Sequence, residues 1–194
     1  MCVDALVQRG VKPENGEIVV TGASGGVGSI SVALLAKLGY QVVAVSGKPT
    51  AGEFLKSLGA AQVVSRDSVN DTSGKPVLAE RWAGAVDTVG GSTLSTLVRS
   101  TKRYGVVTAC GLVGGHDLPL TVYPFILRGV DLVGIDSVEC PHTLRDRLWQ
   151  QLAGAWQPAQ LDSIVAGEVT LDELPAQIDR IGKGEQQGRI LVRP

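Results

Sequence analysis

The sequence predicts an α/β fold built on a doubly wound parallel sheet of six or more strands. Short apolar runs alternate with helix-like patterns along most of the 194 residues. One run, at 41–46, contains an unbroken Val-Val-Ala-Val, which is typical of a strand buried on both faces. Glycine is frequent, at 25 residues, as expected for many sharp turns between strands and helices. Strands joined through helices pair in parallel by right-handed crossovers. We therefore predict a Rossmann fold in the strand order 3-2-1-4-5-6.

The elements of the first half follow from apolar periodicity and from glycines that end helices. A short helical stripe near the amino terminus stops at Gly10. Thr50 and Glu53 have the spacing of a capping box and predict the start of a helix. The predicted strands are 18–21, 41–46 and 62–65, and the predicted helices are 27–38 and 50–58.

The second half continues the alternation. A polar stretch from Asp67 to Pro76 leads to a predicted helix, and Pro141 precedes a long one. Thr170 and Glu173 form a second capping-box pattern, for a helix that ends at Gly182. The other predicted helices are 92–100 and 123–128, and the predicted strands are 84–89, 105–110, 130–135 and 188–192.

The turn after the first strand is the strongest functional signal. The segment from Thr21 to Gly28 reads Thr-Gly-Ala-Ser-Gly-Gly-Val-Gly, with alanine in the first position of the GxGxxG spacing. Glycines let a ligand approach the backbone, and the following helix presents free N–H groups to an anion. We predict that the N–H groups of Ser24, Gly25, Gly26 and Val27 hold a dinucleotide pyrophosphate.

The end of the second strand indicates which dinucleotide binds. A fold that binds NAD usually places an acid there, whereas this chain has Ser46, Gly47 and Lys48. A carboxylate would repel a 2′-phosphate, while a hydroxyl and an ammonium would accept it. We predict NADP(H), with Arg66 as a possible second cation, although Lys48 could instead be a solvated loop lysine.

Other enzyme classes with similar turns lack their motifs here. No tyrosine is followed by lysine four residues later, as a short-chain dehydrogenase requires. Both Gly-Lys pairs precede proline, at Pro49 and Pro76, whereas an ATPase P-loop needs serine or threonine. A methyltransferase would want an acid at the end of the second strand.

Composition restricts the partners and the compartment. A net charge of −1 argues against nucleic acid, and no apolar run is long enough to span a membrane. The three cysteines are odd in number and widely spaced, which fits a reducing compartment, and we expect the cytoplasm. Cys110 is interpreted as a small buried strand residue. Cys140 and His142 have no further ligands at metal-site spacing, so no metal is predicted.

With these residues in view, the chain resembles the coenzyme-binding domain of the medium-chain dehydrogenase/reductase superfamily. The similarity is to its zinc-independent quinone-oxidoreductase branch, and within that to the acrylyl-CoA reductase group. The segments that carry it are 17–28, 42–48, 82–91, 109–115 and 124–137, which together span most of the chain.

The resemblance implies the rest of the site. It implies that the phosphate turn and Ser46 to Lys48 contact NADP. It also implies that the nicotinamide half lies near Gly111, Leu112, Ile135 and Ser137, and near Arg189. The implied reaction is NADPH-dependent reduction of an activated C=C bond in an enoyl thioester, or of a quinone. The family's general acid has no counterpart that we can name in this sequence.

The resemblance also implies a missing part. Members of the family carry an amino-terminal catalytic domain, and residues 1–194 correspond to the dinucleotide-binding domain alone. The chain could therefore be the inactive cofactor half of a reductase, a non-catalytic NADP(H) sensor or partner-binding module, or a vestigial fold. The sixth strand would lie at an apolar sheet edge, which predicts a homodimer that joins these edges.

Overall fold

Six short parallel strands form the main sheet of the computed structural model, which describes residues 1–194. The sheet has the order β3-β2-β1-β4-β5-β6, which confirms the predicted strand order. The strands are β1 (Ile18–Val20), β2 (Val42–Val45), β3 (Gln62–Val64), β4 (Trp82–Asp87), β5 (Thr101–Ala109) and β6 (Asp131–Gly134).

A second, two-stranded parallel sheet lies near the carboxyl terminus. It pairs β7 (Val165–Thr170) with β8 (Arg189–Arg193). Only β8 was predicted, because the β7 sequence Val-Ala-Gly-Glu-Val-Thr has no clear alternation of apolar and polar residues. The helices are α1 (Cys2–Gln8), α2 (Gly26–Lys37), α3 (Ala51–Ser57), α4 (Gly91–Ser100), α5 (Tyr123–Arg128), α6 (His142–Ala153), α7 (Leu161–Ile164) and α8 (Leu174–Gly182). No helix combines the length and apolar character needed to cross a lipid bilayer.

The core lies on both faces of the main sheet. Because alternate strand residues point to opposite faces, Ile18 and Val20 pack with α1, α2 and α3, whereas Val19 packs with α4. All three residues of β1 are completely buried, as are Leu35 of α2 and Leu97 of α4. The two-sided burial explains the continuous apolar runs of the strands.

Two local predictions were wrong. No helix follows Pro76, because the chain there is extended and its N–H groups donate to the carbonyls at the end of α4. Leu78 N bonds to Arg99 O and Arg81 N to Ser100 O, each at 2.8 Å. The box predicted at Thr50 does not form either, because Thr50 already has helical dihedrals, φ −83 and ψ −5, instead of the extended ones of a capping residue.

The second capping-box pattern forms in part. The Glu173 carboxylate accepts hydrogen bonds from the backbone N–H and the hydroxyl of Thr170, at 2.8 and 3.1 Å. The helix begins after this pair, at Leu174. The two residues therefore fix the turn that leads from β7 into α8.

Candidate functional site

A cleft of about 1090 Å³ opens at the carboxyl ends of the central strands. The chain runs from β1 to one edge of the sheet and from β4 to the other, so the connections diverge between these two strands. In open α/β sheets this switch point is where ligands bind. Thr21 after β1 and Thr88 after β4 both line the cleft.

The glycine turn forms the floor of the cleft. Gly22 has φ +55, which favours glycine, and Gly28 lies so close to the strand end that a Cβ would sit 2.6 Å from Ala23 Cα. Gly25 caps α2 without any side-chain hydrogen bond. The first N–H groups of α2 therefore have no intrahelical acceptor, and they lie at the positive end of the helix dipole.

Ser24 joins this turn to the end of β2. It is buried, and its hydroxyl lies 3.2 Å from the hydroxyl of Ser46. The Ser46 hydroxyl also accepts a hydrogen bond from the backbone N–H of Lys48, at 3.2 Å. The two serines thus place the turn and the segment after β2 side by side in the cleft, as the sequence predicts.

Two cations lie beside each other at this end of the cleft. The guanidinium of Arg66 covers Gly47, where a Cβ would lie 2.7 Å from Arg66 Cζ. Burial lowers the pKa of the Lys48 ammonium, and the charge of Arg66 lowers it further. Neither side chain forms an ion pair with a carboxylate. The pair therefore offers uncompensated positive charge to an anionic ligand.

The opposite wall comes from the carboxyl-terminal part of the chain. Gly188 N donates to Ser24 O at 2.9 Å, and Lys48 Nζ donates to the backbone carbonyl of Gln186. Arg189 lies over the turn, where a Cβ on Gly26 would be 2.7 Å from its Cζ. The wall thus adds a third cation. The resemblance implied that Arg189 lies near the nicotinamide half, whereas the structure places it over the glycine turn.

Two glutamines in this wall were missed by sequence reasoning. The side-chain oxygens of Gln177 and Gln186 are buried without a hydrogen-bond donor, and both residues line the cleft. A buried acceptor without a donor is costly, so these atoms are suited to a ligand N–H or O–H group. Nothing in the local sequence marks them, since their place depends on how the distant α8 segment returns to the turn.

Asp87 was also missed and organises the switch point. Its carboxylate accepts hydrogen bonds from the Thr21 hydroxyl at 2.6 Å and from Gly90 N at 2.7 Å. The Thr21 hydroxyl in turn accepts from Thr88 N at 3.0 Å. Burial raises the pKa of Asp87, while these hydrogen bonds oppose that shift. The network locks the end of β1 to the loop after β4.

The predicted nicotinamide-side residues divide into two groups. Gly111 lines the cleft. Leu112 is 65% exposed, Ile135 is half-buried and Ser137 is exposed, and none of the three contributes to the lining. Of the residues predicted to contact the cofactor, the structure therefore brings together Ser24, Gly25, Gly26, Val27, Ser46, Gly47, Lys48, Arg66 and Gly111.

Comparison with protein families gives one match over most of the chain. Residues 26–154 match the family described as zinc-binding dehydrogenase. The side chains present do not fit the zinc of that description, because no three His, Cys, Asp or Glu residues lie together in a way that could hold a metal ion.

Several relatives resemble the chain along its whole length. Acrylyl-CoA reductase AcuI of Ruegeria pomeroyi is 46% identical over 192 residues, which are 99% of this chain and 58% of that protein. The crystal structure of Bacillus subtilis YhfP with NAD bound is 46% identical, with a TM-score of 0.95, over 100% of this chain and 59% of that one. The crystal structure of Escherichia coli K-12 YhdH with bound NADPH is 50% identical, with a TM-score of 0.94, over 98% of this chain and 58% of that one.

The chain thus spans somewhat less than three fifths of the relatives that it matches, with 58% of AcuI and 59% of YhfP covered. The family match covers well over half of the 194 residues and runs from the start of α2 through β6 to the end of α6. On this match the chain belongs to the zinc-binding dehydrogenase family.

Proposed function

We propose that residues 1–194 form the NADP(H)-binding domain of an NADPH-dependent oxidoreductase that reduces an activated C=C bond. The observation that carries the cofactor assignment is the pair Lys48 and Arg66, two cations without a carboxylate partner at the end of β2 and β3. YhdH, which was crystallised with NADPH, supports this assignment, while YhfP, crystallised with NAD, supports a nicotinamide dinucleotide in general.

In this proposal each part of the cleft holds one part of the cofactor. The N–H groups of Ser24 to Val27 bind the pyrophosphate. Ser46, Gly47, Lys48 and Arg66 bind the 2′-phosphate by charge-assisted hydrogen bonds. Gly111 lies toward the nicotinamide, and the resemblance adds Leu112, Ile135 and Ser137 there.

The substrate is proposed from the relatives' names. One is an acrylyl-CoA reductase, and YhfP is named as a quinone oxidoreductase. Bound NADPH would supply a hydride to the carbon β to a thioester carbonyl, or to a quinone. This chain's residues would orient the nicotinamide and keep the phosphates fixed. We assign no general acid to it.

Titration calorimetry with NADPH and NADH side by side tests the cofactor proposal. We expect NADPH to bind more tightly, and Lys48→Ala to raise its Kd about tenfold or more, because a charge-assisted hydrogen bond contributes about 1.5–3 kcal/mol. Kd for NADH should stay unchanged. Lys56→Ala, an exposed lysine on α3 outside the cleft, is the matched control. Equal affinity for both nucleotides would refute the assignment.

A turnover assay separates the reductase half from the sensor alternative. We expect NADPH to bind without steady oxidation when acryloyl-CoA is added to this chain alone, because we assign no general acid to residues 1–194. Steady oxidation would contradict that expectation. A specific protein that co-purifies, together with binding and no turnover, would favour the sensor or partner-binding module.

We also propose a homodimer in which two β6 strands meet. β6 pairs only with β5 and so leaves one edge open, and the neighbouring α5 exposes Ile126 and Leu127, at 69% and 50%. An open edge with apolar neighbours tends to pair with another chain. A monomeric mass by light scattering would contradict this.

The three unpaired cysteines fit activity in the cytoplasm, where thiols stay reduced.

A further inference from the structure

One buried oxygen in the carboxyl-terminal wall belongs to a residue that is bonded to Lys48. Gln186 lines the cleft, and its side-chain oxygen is buried without a hydrogen-bond donor. The main-chain carbonyl of the same residue accepts a hydrogen bond from Lys48 Nζ. Two residues further on, Gly188 N donates to Ser24 O at 2.9 Å. These two hydrogen bonds hold the 186–188 segment against the glycine turn and the end of β2.

The side-chain amide of Gln186 has a fixed orientation. Its Nε2 donates to the carbonyl of Gln187 at 2.5 Å, so a flipped amide would set two oxygens against each other. The unpaired atom is therefore the oxygen, and only a donor can satisfy it. The Lys48 ammonium is not that donor, since it bonds to the main-chain carbonyl instead. It keeps two further N–H groups for an anion.

Lys48 and Gln186 thus present a donor and an acceptor at the same end of the cleft. The end of the second strand is where this fold places the adenosine ribose of a dinucleotide. In NADP(H) that ribose carries a phosphate on its 2′ oxygen and a free hydroxyl on its 3′ carbon. The phosphate is mostly ionised at neutral pH and accepts hydrogen bonds, so it suits Lys48. The 3′ hydroxyl is the one donor on this ribose, so it suits Gln186.

Coenzyme A carries the opposite pattern on a similar scaffold. It too contains adenosine 5′-diphosphate, but its extra phosphate is on the 3′ oxygen and its free hydroxyl is on the 2′ carbon. The glycine turn can accept either diphosphate and therefore cannot separate the two molecules. With the diphosphate fixed in the turn, the ribose cannot exchange its 2′ and 3′ positions. A 3′ phosphate would face the Gln186 oxygen, so two acceptors would meet and the buried oxygen would stay unpaired.

We propose that Gln186 is a specificity-determining residue that admits the 2′-phosphorylated ribose of NADP(H) and rejects the 3′-phosphorylated ribose of coenzyme A thioesters. This role rests on the proposed function, in which the cofactor and a thioester substrate both carry a phosphorylated adenosine diphosphate. Such an enzyme must keep its substrate's nucleotide out of its cofactor site. Residues 186–188 lie in the loop between α8 and β8, so they can adjust to an entering ribose and then enclose its hydrogen bond to Gln186.

Titration calorimetry with 2′,5′-ADP and 3′,5′-ADP tests this role, because the two isomers differ only in the position of one phosphate. We expect the wild type to bind the 2′ isomer about tenfold more tightly. In Gln186→Leu the Kd of the 2′ isomer should rise about fivefold, the effect of one neutral hydrogen bond. The Kd of the 3′ isomer should not rise, which also shows that the variant keeps its cleft. Gln157→Leu, at an exposed glutamine outside the cleft, is the matched control and should leave both Kd values unchanged.

Competition between coenzyme A and NADPH extends the test to the complete molecules. We expect the ratio of the coenzyme A inhibition constant to the NADPH Kd to fall about fivefold in Gln186→Leu. Equal affinity of the wild type for the two isomers, or a ratio of their Kd values that Gln186→Leu leaves unchanged, would overturn the role of Gln186. Tight NADPH binding in that case would leave the proposed function standing. A wild type that binds neither NADPH nor 2′,5′-ADP would overturn the proposed function and this role with it.

Discussion

Replacing Gly28 with alanine tests the packing that places the glycine turn. The new Cβ would lie 2.6 Å from Ala23 Cα and 2.8 Å from the Gly22 carbonyl carbon, where ordinary contacts start at 3.4 Å. The Gly22 carbonyl oxygen would lie closer still. All three are backbone atoms, so the start of α2 must move from the strand end by about 1 Å. Overpacking of this kind costs about 1–3 kcal/mol. Alanine favours a helix over glycine by about 1 kcal/mol, which offsets part of this cost. Starting from the upper end of the range, about 3 kcal/mol, we expect the free energy of unfolding to fall by about 2 kcal/mol.

Urea denaturation followed by circular dichroism measures this loss, and it corresponds to a Tm lower by about 4–8 °C for a chain of this size. Gly52→Ala is the matched control, because Gly52 lies in α3 and its Cβ would meet nothing within 4 Å. That change should stabilise the fold by about 0.5 kcal/mol. If Gly28→Ala and Gly52→Ala were equally stable, or if Gly28→Ala were more stable than the wild type, the packing role of Gly28 would be refuted.

Two other measurements follow from the hydrogen bonds and charges. Tyr40→Phe should lower the free energy of unfolding by about 1–2 kcal/mol, because the buried Val11 carbonyl loses a donor at 2.6 Å, whereas the exposed Tyr123→Phe should change nothing. NADPH affinity should be full below the lowered pKa of Lys48 and should fall as pH rises through it, because the 2′-phosphate favours the ammonium. The NADH affinity should stay flat, and equal slopes for both nucleotides would contradict this role.

The half of the cleft that sequence reasoning predicted comes from segments continuous with the strands. Ser24 to Val27 and Ser46 to Lys48 directly follow β1 and β2, and parallel strands bring their carboxyl ends to one edge. The strand order could be predicted from the sequence too, because strand and helix patterns alternate along the chain and each crossover between them is right-handed. Arg66 follows β3 and obeys the same rule.

The other half of the cleft depends on contacts between distant segments. Gln177 and Gln186 reach the turn through contacts such as the hydrogen bond from Gly188 N to Ser24 O, across more than 160 residues. The carboxylate of Asp87 is similar, because its partner hydroxyl on Thr21 is 66 residues away. No periodicity or turn signal reports such pairs. Local patterns also predicted a helix after Pro76 that does not form, because the chain there makes hydrogen bonds to the end of α4.

The carboxyl-terminal wall has a kinetic consequence. Helix α8 has no buried residue, and only one residue of β8 is even half-buried. Segments with so little buried surface open at a small fraction of the global unfolding free energy. Amide hydrogens of 174–193 should therefore exchange with solvent well before those of β1 and β4. A nucleotide bound beneath Arg189 could dissociate each time the carboxyl-terminal wall opens locally. Its residence time would then depend on the rate of this local opening and not on the stability of the main sheet.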